Sequence, residues 1–179
     1  GTQRPVTGDT FFINAGARPS VPALEGLKGV PFLDSTSIME LTELPRHLVI
    51  VGGSYIGLEF AQMYRRFGSR VTVVEMAPRL IAREDEAVSV AVQALLEHEG
   101  VDVRTGAQCL RVARHPQGIA VQVDCAREPR DIAGSHLLLA TGRVPNTDDL
   151  GLEDAGVATD ARGYIVVDDA LATSVPGIW

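Results

Sequence analysis

The feature that most constrains this sequence is a glycine-rich turn between an apolar run and a helical pattern. The run LVIV at 48–51 predicts a strand buried on both faces of a parallel sheet. Residues 55–67 carry apolar side chains at helical spacing and predict an amphipathic helix. Between them, Gly52, Ser54 and Gly57 occupy the positions of G-x-G-x-x-G, with serine in place of the middle glycine. This order predicts a turn whose helix presents backbone N–H groups to a pyrophosphate.

An acidic residue stands where the next predicted strand, RVTVVE at 70–75, comes to its end. A carboxylate at that position accepts hydrogen bonds from the adenosine ribose hydroxyls and repels a 2′-phosphate. Glu75 therefore predicts NAD(H) as the ligand, with NADP disfavoured. Arg79 and Arg83 follow closely and would counter that preference if they folded back toward a phosphate. The Ser54 side chain would either crowd the pyrophosphate or hydrogen-bond to it.

The other patterns predict an α/β arrangement with two kinds of sheet. Three short strands are expected between residues 101 and 125, and the last two alternate between apolar and polar residues, as antiparallel strands with one wet face do. They predict a three-stranded antiparallel β-meander beside the parallel sheet. The expected elements are strand 10–15, helix 36–43, strand 48–51, helix 55–67, strand 70–75, helix 85–98, strands 101–105, 108–114 and 119–125, strand 136–141 and strand 164–168.

Composition excludes several classes of partner and site. Sixteen Lys and Arg against 23 Asp and Glu give a net charge of −7 without a basic cluster, so no nucleic-acid partner is expected. No apolar run approaches the roughly 18 residues of a membrane helix, and no signal peptide is visible, so we expect a cytoplasmic protein without a membrane partner. Cys109 and Cys125 form no CxxC or CxxxxC and lack a nearby histidine, so neither a metal site nor a redox dithiol is expected. The histidines form no acid–base group, and no catalytic residue is predicted.

Several segments resemble one known family. GGSYIGLEF (52–60), VTVVE (71–75) and ATGRVPNTDDLGLE (140–153) resemble the nucleotide-binding part of the class I pyridine nucleotide-disulfide oxidoreductases, the mercuric reductase and dihydrolipoyl dehydrogenase branches above all. INAGARP (13–19) is similar to the segment where the family's chain leaves its FAD domain. The stretch 164–179 is similar to the one before a further flavin-binding motif. The resemblance implies an α/β Rossmann-like NAD-binding domain with a parallel sheet and an antiparallel meander, plus short flanking pieces of an FAD domain.

The resemblance also implies a domain division and a role. It assigns residues 1–22 to a fragment of the FAD domain, 23–44 to a connection, 45–145 to the NAD(H)-binding domain, and 146–179 to the return toward the FAD domain. The family's first FAD glycine motif, its CxxxxC pair and its C-terminal dimerisation domain have no counterpart here. The expected role is to orient nicotinamide for hydride transfer to FAD in a homodimeric parent enzyme. Its partners would be the nicotinamide nucleotide and the rest of that enzyme, and the chain alone is expected not to turn over.

Roles for individual residues follow from the same resemblance. Tyr55 matches an aromatic that gates the nicotinamide pocket, with a plain helix-surface tyrosine as the alternative. Glu59 matches a carboxylate beside the nicotinamide, with a favourable interaction with the helix dipole as the alternative. Ala107 and Gly142 match backbone positions near the adenine and nicotinamide ends. The expected cofactor-binding residues are Gly52, Gly53, Ser54, Tyr55, Ile56, Gly57, Glu59, Glu75, Ala107 and Gly142 for the nucleotide, and Gly16, Ala17 and Arg143 for FAD.

Two other function classes share part of this pattern. An S-adenosylmethionine-dependent methyltransferase also uses a glycine-rich turn and an acid that ends the second strand. The three short strands and the segment ATGRVPN (140–146) do not suit that architecture. A non-catalytic nucleotide-binding or interaction module is the second alternative, because flavin-facing surface would be apolar and exposed if left uncovered.

Overall fold

The computed structural model describes residues 5–124 and 130–179, and only the backbone of Cys109; Cys125 lies outside the described residues. The chain divides into a larger unit, Pro19–Gly142, and a smaller unit formed by Gly1–Arg18 and Arg143–Trp179. The elements are β1 (Ala17–Pro19), two 3-10 helices (Leu27–Gly29 and Ser37–Glu40), β2 (His47–Val51), α1 (Tyr55–Arg66), β3 (Arg70–Val74), α2 (Glu86–His98), β4 (Asp102–Arg104), β5 (Gln108–His115), β6 (Gly118–Asp124), β7 (Asp131–Gly134), β8 (His136–Leu139) and β9 (Arg143–Pro145).

A four-stranded parallel sheet in the order β4-β3-β2-β8 forms the centre of the larger unit. The central strand β2 is buried along its whole length, since one face packs on the helices and the other on the antiparallel sheet. The continuous apolar run at 48–51 follows from this two-sided burial. Because parallel strands end at the same edge of a sheet, the residues that follow β2, β3 and β8 lie side by side.

The two helices begin in different ways. α1 starts after Ser54, whose extended backbone takes the N-cap position without a hydrogen bond from its side chain. It buries an apolar stripe that includes Leu58 and Ala61 against the sheet, as the helical spacing predicts. α2 starts with a standard cap, because the Asp85 carboxylate accepts the N–H of Ala87 at 2.8 Å. No N–H at the start of α1 is therefore bound by a capping side chain, whereas one N–H at the start of α2 is bound by Asp85.

The predicted α/β class, with a parallel sheet and a separate three-stranded antiparallel sheet, is confirmed, but one strand assignment was wrong. The antiparallel sheet is β5-β6-β7, and its third strand, Asp131–Gly134, was not predicted. The strand expected at 101–105 is β4, which extends the parallel sheet by pairing Val73 with Val103. It joins the parallel sheet because it follows the crossover helix α2, and both Val103 and Val101, the residue before the strand, are buried.

Three further expected elements are shorter than predicted or absent as strands. In 10–15 a single bridge joins Phe11 to Ile178, and in 164–168 a single bridge joins Ile165 to Thr159. One bridge cannot build a ladder, so the β-branched composition of these segments was misleading. The helix expected at 36–43 is the four-residue 3-10 turn Ser37–Glu40, which ends where Leu41 becomes extended ahead of Pro45. No helix in the described ranges is long and apolar enough to cross a membrane.

Candidate functional site

The glycine-rich turn lies at the carboxyl edge of the parallel sheet, where it leaves no room for side chains. Gly52 has φ = 119°, and a Cβ there would lie 2.4 Å from the carbonyl oxygen of Ala140, just beyond β8. A Cβ on Gly57 would lie 2.1 Å from the carbonyl oxygen of Gly52. Glycine at both positions therefore lets α1 approach the turn and lets the turn approach the end of β8.

Glu75 holds this turn through its side chain. Its Oε2 accepts the backbone N–H of Gly53 at 2.5 Å, and its Oε1 accepts the N–H of Ala77 at 2.7 Å. The Glu75 backbone is fixed as well, since its N–H donates to the carbonyl of Arg104 and its carbonyl accepts the N–H of Ala107. Each carboxylate oxygen has a second lone pair that can accept a further donor. The residue expected to bind the ribose thus lies against the turn expected to bind the pyrophosphate.

The first N–H groups of α1 face this turn without protein acceptors. The first helical hydrogen bond runs from Leu58 to the Ser54 carbonyl at 3.0 Å. Within the part of the chain that the structure describes, the N–H groups of Tyr55, Ile56 and Gly57 meet no acceptor. They carry the positive end of the helix dipole, which makes the position favourable for an anion. The Ser54 side chain is exposed and does not cap the helix.

The segment after Glu75 closes over the turn, and sequence reasoning missed this contact. The N–H of Ile81 donates to the carbonyl of Gly53 at 2.8 Å. Ile81 has φ = 39°, a strained conformation for a β-branched residue, yet its side chain is only 7% exposed. Leu80 is fully buried, and its Cδ2 would lie 2.6 Å from a Cβ on Gly53. No sequence signal marks this isoleucine, because the stretch between the strand expected at 70–75 and the helix expected at 85–98 has no periodic pattern.

A second contact joins this segment to α1. The hydroxyl of Tyr55 donates to the carboxylate of Glu84, and this hydrogen bond raises the pKa of Tyr55. The Tyr55 ring is 51% exposed, so its position depends mainly on that bond. Arg79 donates to the carbonyls of Ala82 and Glu84 at 3.2 and 3.3 Å and lies 3.7 Å from the Glu86 carboxylate. Arg79 is thus engaged within its own segment, away from Glu75.

The remaining expected nucleotide residues take different positions within the larger unit. Ala107 is fully buried, and its N–H is already used by the carbonyl of Glu75. Gly142 has φ = 136° and follows the turn that contacts Gly52; its carbonyl accepts the N–H of Ser20 at 3.0 Å. Glu59 lies exposed on α1. The structure therefore gathers the glycine turn, Glu75 and Tyr55 most closely.

The three residues expected to contact FAD belong to the smaller unit. Gly16, at φ = 68°, accepts the N–H of Asn146 through its carbonyl, and the Arg143 guanidinium donates to the carbonyl of Ala17. Arg18 forms a two-pronged ion pair with Asp148, with N–O distances of 2.9 and 3.0 Å. These bonds accompany the pairing of β1 with β9 and give Gly16, Ala17 and Arg143 a defined backbone geometry. Residues 5–124 and 130–179 contain no cluster of three metal-binding side chains.

Comparison with known proteins places this geometry in context. The model of one family, pyridine nucleotide-disulphide oxidoreductase, matches residues 1–179. A mercuric reductase of Streptomyces lividans is 43% identical over 169 residues, which is 94% of this chain and 35% of that protein. A dihydrolipoyl dehydrogenase of Thermus scotoductus is 37% identical over 186 residues, covering 97% of this chain and 39% of that protein. The chain therefore spans less than two fifths of the length of these relatives.

A solved structure gives the same result. The HOCl-induced flavoprotein disulfide reductase RclA from Escherichia coli superposes with a TM-score of 0.84 and 40% identity. The match covers 97% of this chain and 39% of RclA. The fold and the sequence thus point to the same group of proteins, and the resemblance to the mercuric reductase and dihydrolipoyl dehydrogenase branches is confirmed.

Proposed function

Because this chain belongs to the pyridine nucleotide-disulphide oxidoreductase family, we propose that its larger unit binds NAD(H) at the glycine turn. Family membership excludes the methyltransferase alternative. In this proposal the turn receives the pyrophosphate and Glu75 receives the adenosine ribose. The observation that carries the proposal is the pairing of Glu75 with Gly53, which puts ribose acceptors and pyrophosphate donors at one edge of the sheet.

The residues present suit a dinucleotide. The cradle at Gly52 and Gly57 is one that a Cβ would fill, so a phosphate can approach the backbone closely. The unpaired N–H groups at the start of α1 supply donors for it. Each carboxylate oxygen of Glu75 accepts one backbone N–H, and its second lone pair can accept a hydrogen bond from a ribose hydroxyl. The exposed Ser54 hydroxyl does not enter the cradle as a cap, which leaves it available to the pyrophosphate.

The preference for NAD(H) over NADP follows from charge. A 2′-phosphate about 4 Å from the Glu75 carboxylate would cost about 4 kcal/mol for each pair of unit charges at an effective dielectric constant near 20. Arg79 is bound to the carbonyls of its own segment, so it offers no counter-charge in this geometry. Arg83 is exposed, and its charge acts on the Tyr55 hydroxyl. We therefore propose selective binding of the nucleotide without the 2′-phosphate.

Within a whole enzyme of this family, this unit would orient the nicotinamide toward a flavin. In such an enzyme NADH would supply a hydride, which FAD would accept. In this proposal the chain would hold both ends of the nucleotide. Tyr55 and Glu59, on the first turns of α1, would lie beside the nicotinamide. Gly16, Ala17 and Arg143 are proposed to contact FAD. The chain by itself is expected to bind nucleotide without turnover, because the flavin and the thiols carry the redox chemistry.

Calorimetric titration of the chain with NADH and, separately, with NADPH tests this function. The expected result is saturable NADH binding and at least tenfold weaker NADPH binding. Glu153→Gln, an exposed carboxylate of the smaller unit, is the matched control and should leave both affinities unchanged. Binding of neither nucleotide would contradict the proposal and favour a non-catalytic interaction module. Equal binding of both would contradict only the role of Glu75 in selectivity.

A further inference from the structure

A cavity lies at the amino edge of the parallel sheet, the edge opposite the glycine turn. Its volume is about 220 Å³, and Arg46, His47, Arg70, Gln117 and Ser135 are among its lining residues. His47 and Arg70 begin the adjacent strands β2 and β3 and pair directly in register. Gln117 lies in the turn between β5 and β6. The cavity is thus a cleft between the amino edge of one sheet and the end of the other, within the larger unit.

The two arginines of this cleft differ from most others in the chain. Among the described residues, nine other arginines bind a carboxylate or a backbone carbonyl, and six of them form ion pairs, such as Arg66 with Glu99 and Arg104 with Asp102. The guanidiniums of Arg46 and Arg70 have neither a hydrogen bond nor an ion pair with any residue the structure describes. Their strands are joined by the Arg70 N–H, which donates to the Arg46 carbonyl at 3.1 Å. Two unpaired cations therefore line one small cleft in a chain of net charge −7.

The floor of the cleft is polar but already hydrogen-bonded. The Nε2 of His47 lies 2.9 Å from the Thr72 hydroxyl. The Ser135 hydroxyl donates to the His47 carbonyl at 3.0 Å. Two carboxylates act on this edge of the sheet: Asp102, whose charge acts on His47, is engaged by Arg104 at 2.8 Å, and the charge of Glu43 acts on His136. Neither Arg46 nor Arg70 forms an ion pair with a carboxylate among the described residues.

We propose that this cleft binds a small tetrahedral oxyanion of the phosphate class, held by the guanidiniums of Arg46 and Arg70 and the side-chain amide of Gln117. Planar guanidinium forks match the oxygen spacing of phosphate and form strong, charge-assisted hydrogen bonds with it. The volume is below the roughly 300 Å³ at which pockets begin to hold drug-sized organic ligands. A free oxyanion therefore suits the space better than the phosphate group of a nucleotide.

The test is an NMR titration of the chain with inorganic phosphate at neutral pH and constant ionic strength. Arg46→Gln and Arg70→Gln are compared with Arg162→Gln, which removes an exposed arginine from the smaller unit. We expect saturable shifts at the His47 ring and at the arginine Nε groups. Each cleft variant should weaken binding about tenfold or more, while the control binds as the wild type does. Shifts that rise linearly without saturation, or equal binding by all variants, would overturn the proposal.

Two further measurements separate the possible sources of the phosphate group and guard against misfolding. Adenosine 5′-monophosphate should bind the cleft more weakly than inorganic phosphate; tighter binding would overturn the assignment to a free oxyanion. Bound phosphate should raise the pKa of His47, which burial and then Arg70 lower. Arg70→Gln should raise that pKa without phosphate and abolish the response to it. A phosphate response of His47 that persists in Arg70→Gln would count against the site.

Discussion

The Glu75 carboxylate receives the Gly53 N–H at 2.5 Å, so the end of β3 is tied to the turn that follows β2. The second oxygen of the same carboxylate holds the Ala77 N–H. One side chain therefore fixes two backbone segments and still presents acceptors to a ligand. In the proposed function this structural role coincides with a binding role, so we expect changes to Glu75 to affect both.

Glu75→Gln should weaken NADH binding and also destabilise the larger unit. Glutamine has one acceptor oxygen, so it would leave either the Gly53 or the Ala77 N–H facing its amide group. An unpaired donor of this kind costs about 1 to 3 kcal/mol in the free energy of unfolding. Urea denaturation followed by circular dichroism measures the loss, and Glu153→Gln serves as the control. A variant as stable as the wild type would show that the two backbone bonds contribute nothing.

Glu75→Arg should shift nucleotide preference toward NADPH, because the repulsion of a 2′-phosphate becomes attraction. Both affinities are measured by calorimetry, and their ratio is compared with that of Glu75→Gln. Glu75→Gln removes the charge and one of the two backbone bonds without adding a positive charge, so the comparison shows how much of the change in preference the arginine charge itself causes. An NADH-to-NADPH ratio equal to that of the wild type would contradict the ribose assignment.

Gly57→Ala should destabilise the larger unit and weaken nucleotide binding. The new methyl group would lie 2.1 Å from the Gly52 carbonyl oxygen, so α1 must move away from the turn. Overpacking of this kind costs about 1 to 3 kcal/mol. Gly29→Ala is the matched control, since a Cβ there meets nothing within 4 Å, and it should be neutral or stabilise by up to about 1 kcal/mol. Equal stabilities for the two variants would refute the close approach.

Glu84→Gln should lower the pKa of Tyr55 toward its ordinary value. The hydrogen bond to the Glu84 carboxylate is the largest cause of the raised pKa, and a neutral amide stabilises the phenol form less. Titration of the tyrosine Cζ signals by carbon-13 NMR measures the change. Tyr64, whose pKa is raised by burial, is the internal control and should titrate as before. If the substitution leaves the Tyr55 pKa unchanged, the hydrogen bond between Tyr55 and Glu84 does not form in solution.

Because the pKa of His47 is lowered in the folded protein, we expect the free energy of unfolding to fall on acidification. Burial, followed by the charge of Arg70, lowers its pKa in the folded state below the ordinary value of 6.5. The unfolded chain therefore binds the proton more readily, and stability falls as the pH drops below about 6.5. His136, whose pKa burial also lowers, contributes in the same direction.

Urea denaturation across pH 5 to 8 measures this effect in the wild type, His47→Gln and His115→Gln. The first variant should flatten the acid side of the stability profile, because glutamine does not titrate. The second replaces a half-buried histidine at the end of β5 and serves as the control for the loss of a histidine elsewhere in the larger unit. A slope preserved in His47→Gln would mean that other groups cause it.

The sequence predicted the parts of the site that depend on neighbouring residues. The strand, the glycine turn and the helix of 48–67 follow from local pattern, and their order predicts where Glu75 lies. The contact of Tyr55 with Glu84 joins residues 29 apart, and the donation from Ile81 to Gly53 joins residues 28 apart, so neither leaves a periodic signal. These contacts depend on how the segment after β3 packs against the glycine turn and α1, and residue spacing in the sequence does not indicate that packing.

The strand errors have a similar cause. Val101 and Val103 suit either sheet by composition, and only the crossover through α2 decides that β4 joins β3. β7 is four residues long with one β-branched side chain, which is too short to stand out. The cleft at Arg46 and Arg70 was also hidden, because only the register of β2 against β3 brings these residues together.

Gly53 is held on both sides, its N–H by Glu75 and its carbonyl by the strained Ile81. The two peptide planes on either side of this glycine are therefore fixed before any ligand arrives. A nucleotide that docks here need not spend free energy on ordering the turn, so more of its contact energy is left for affinity. The strained backbone of Ile81, which is held in place by burial, thus helps to preorganise the turn at which the pyrophosphate is proposed to bind.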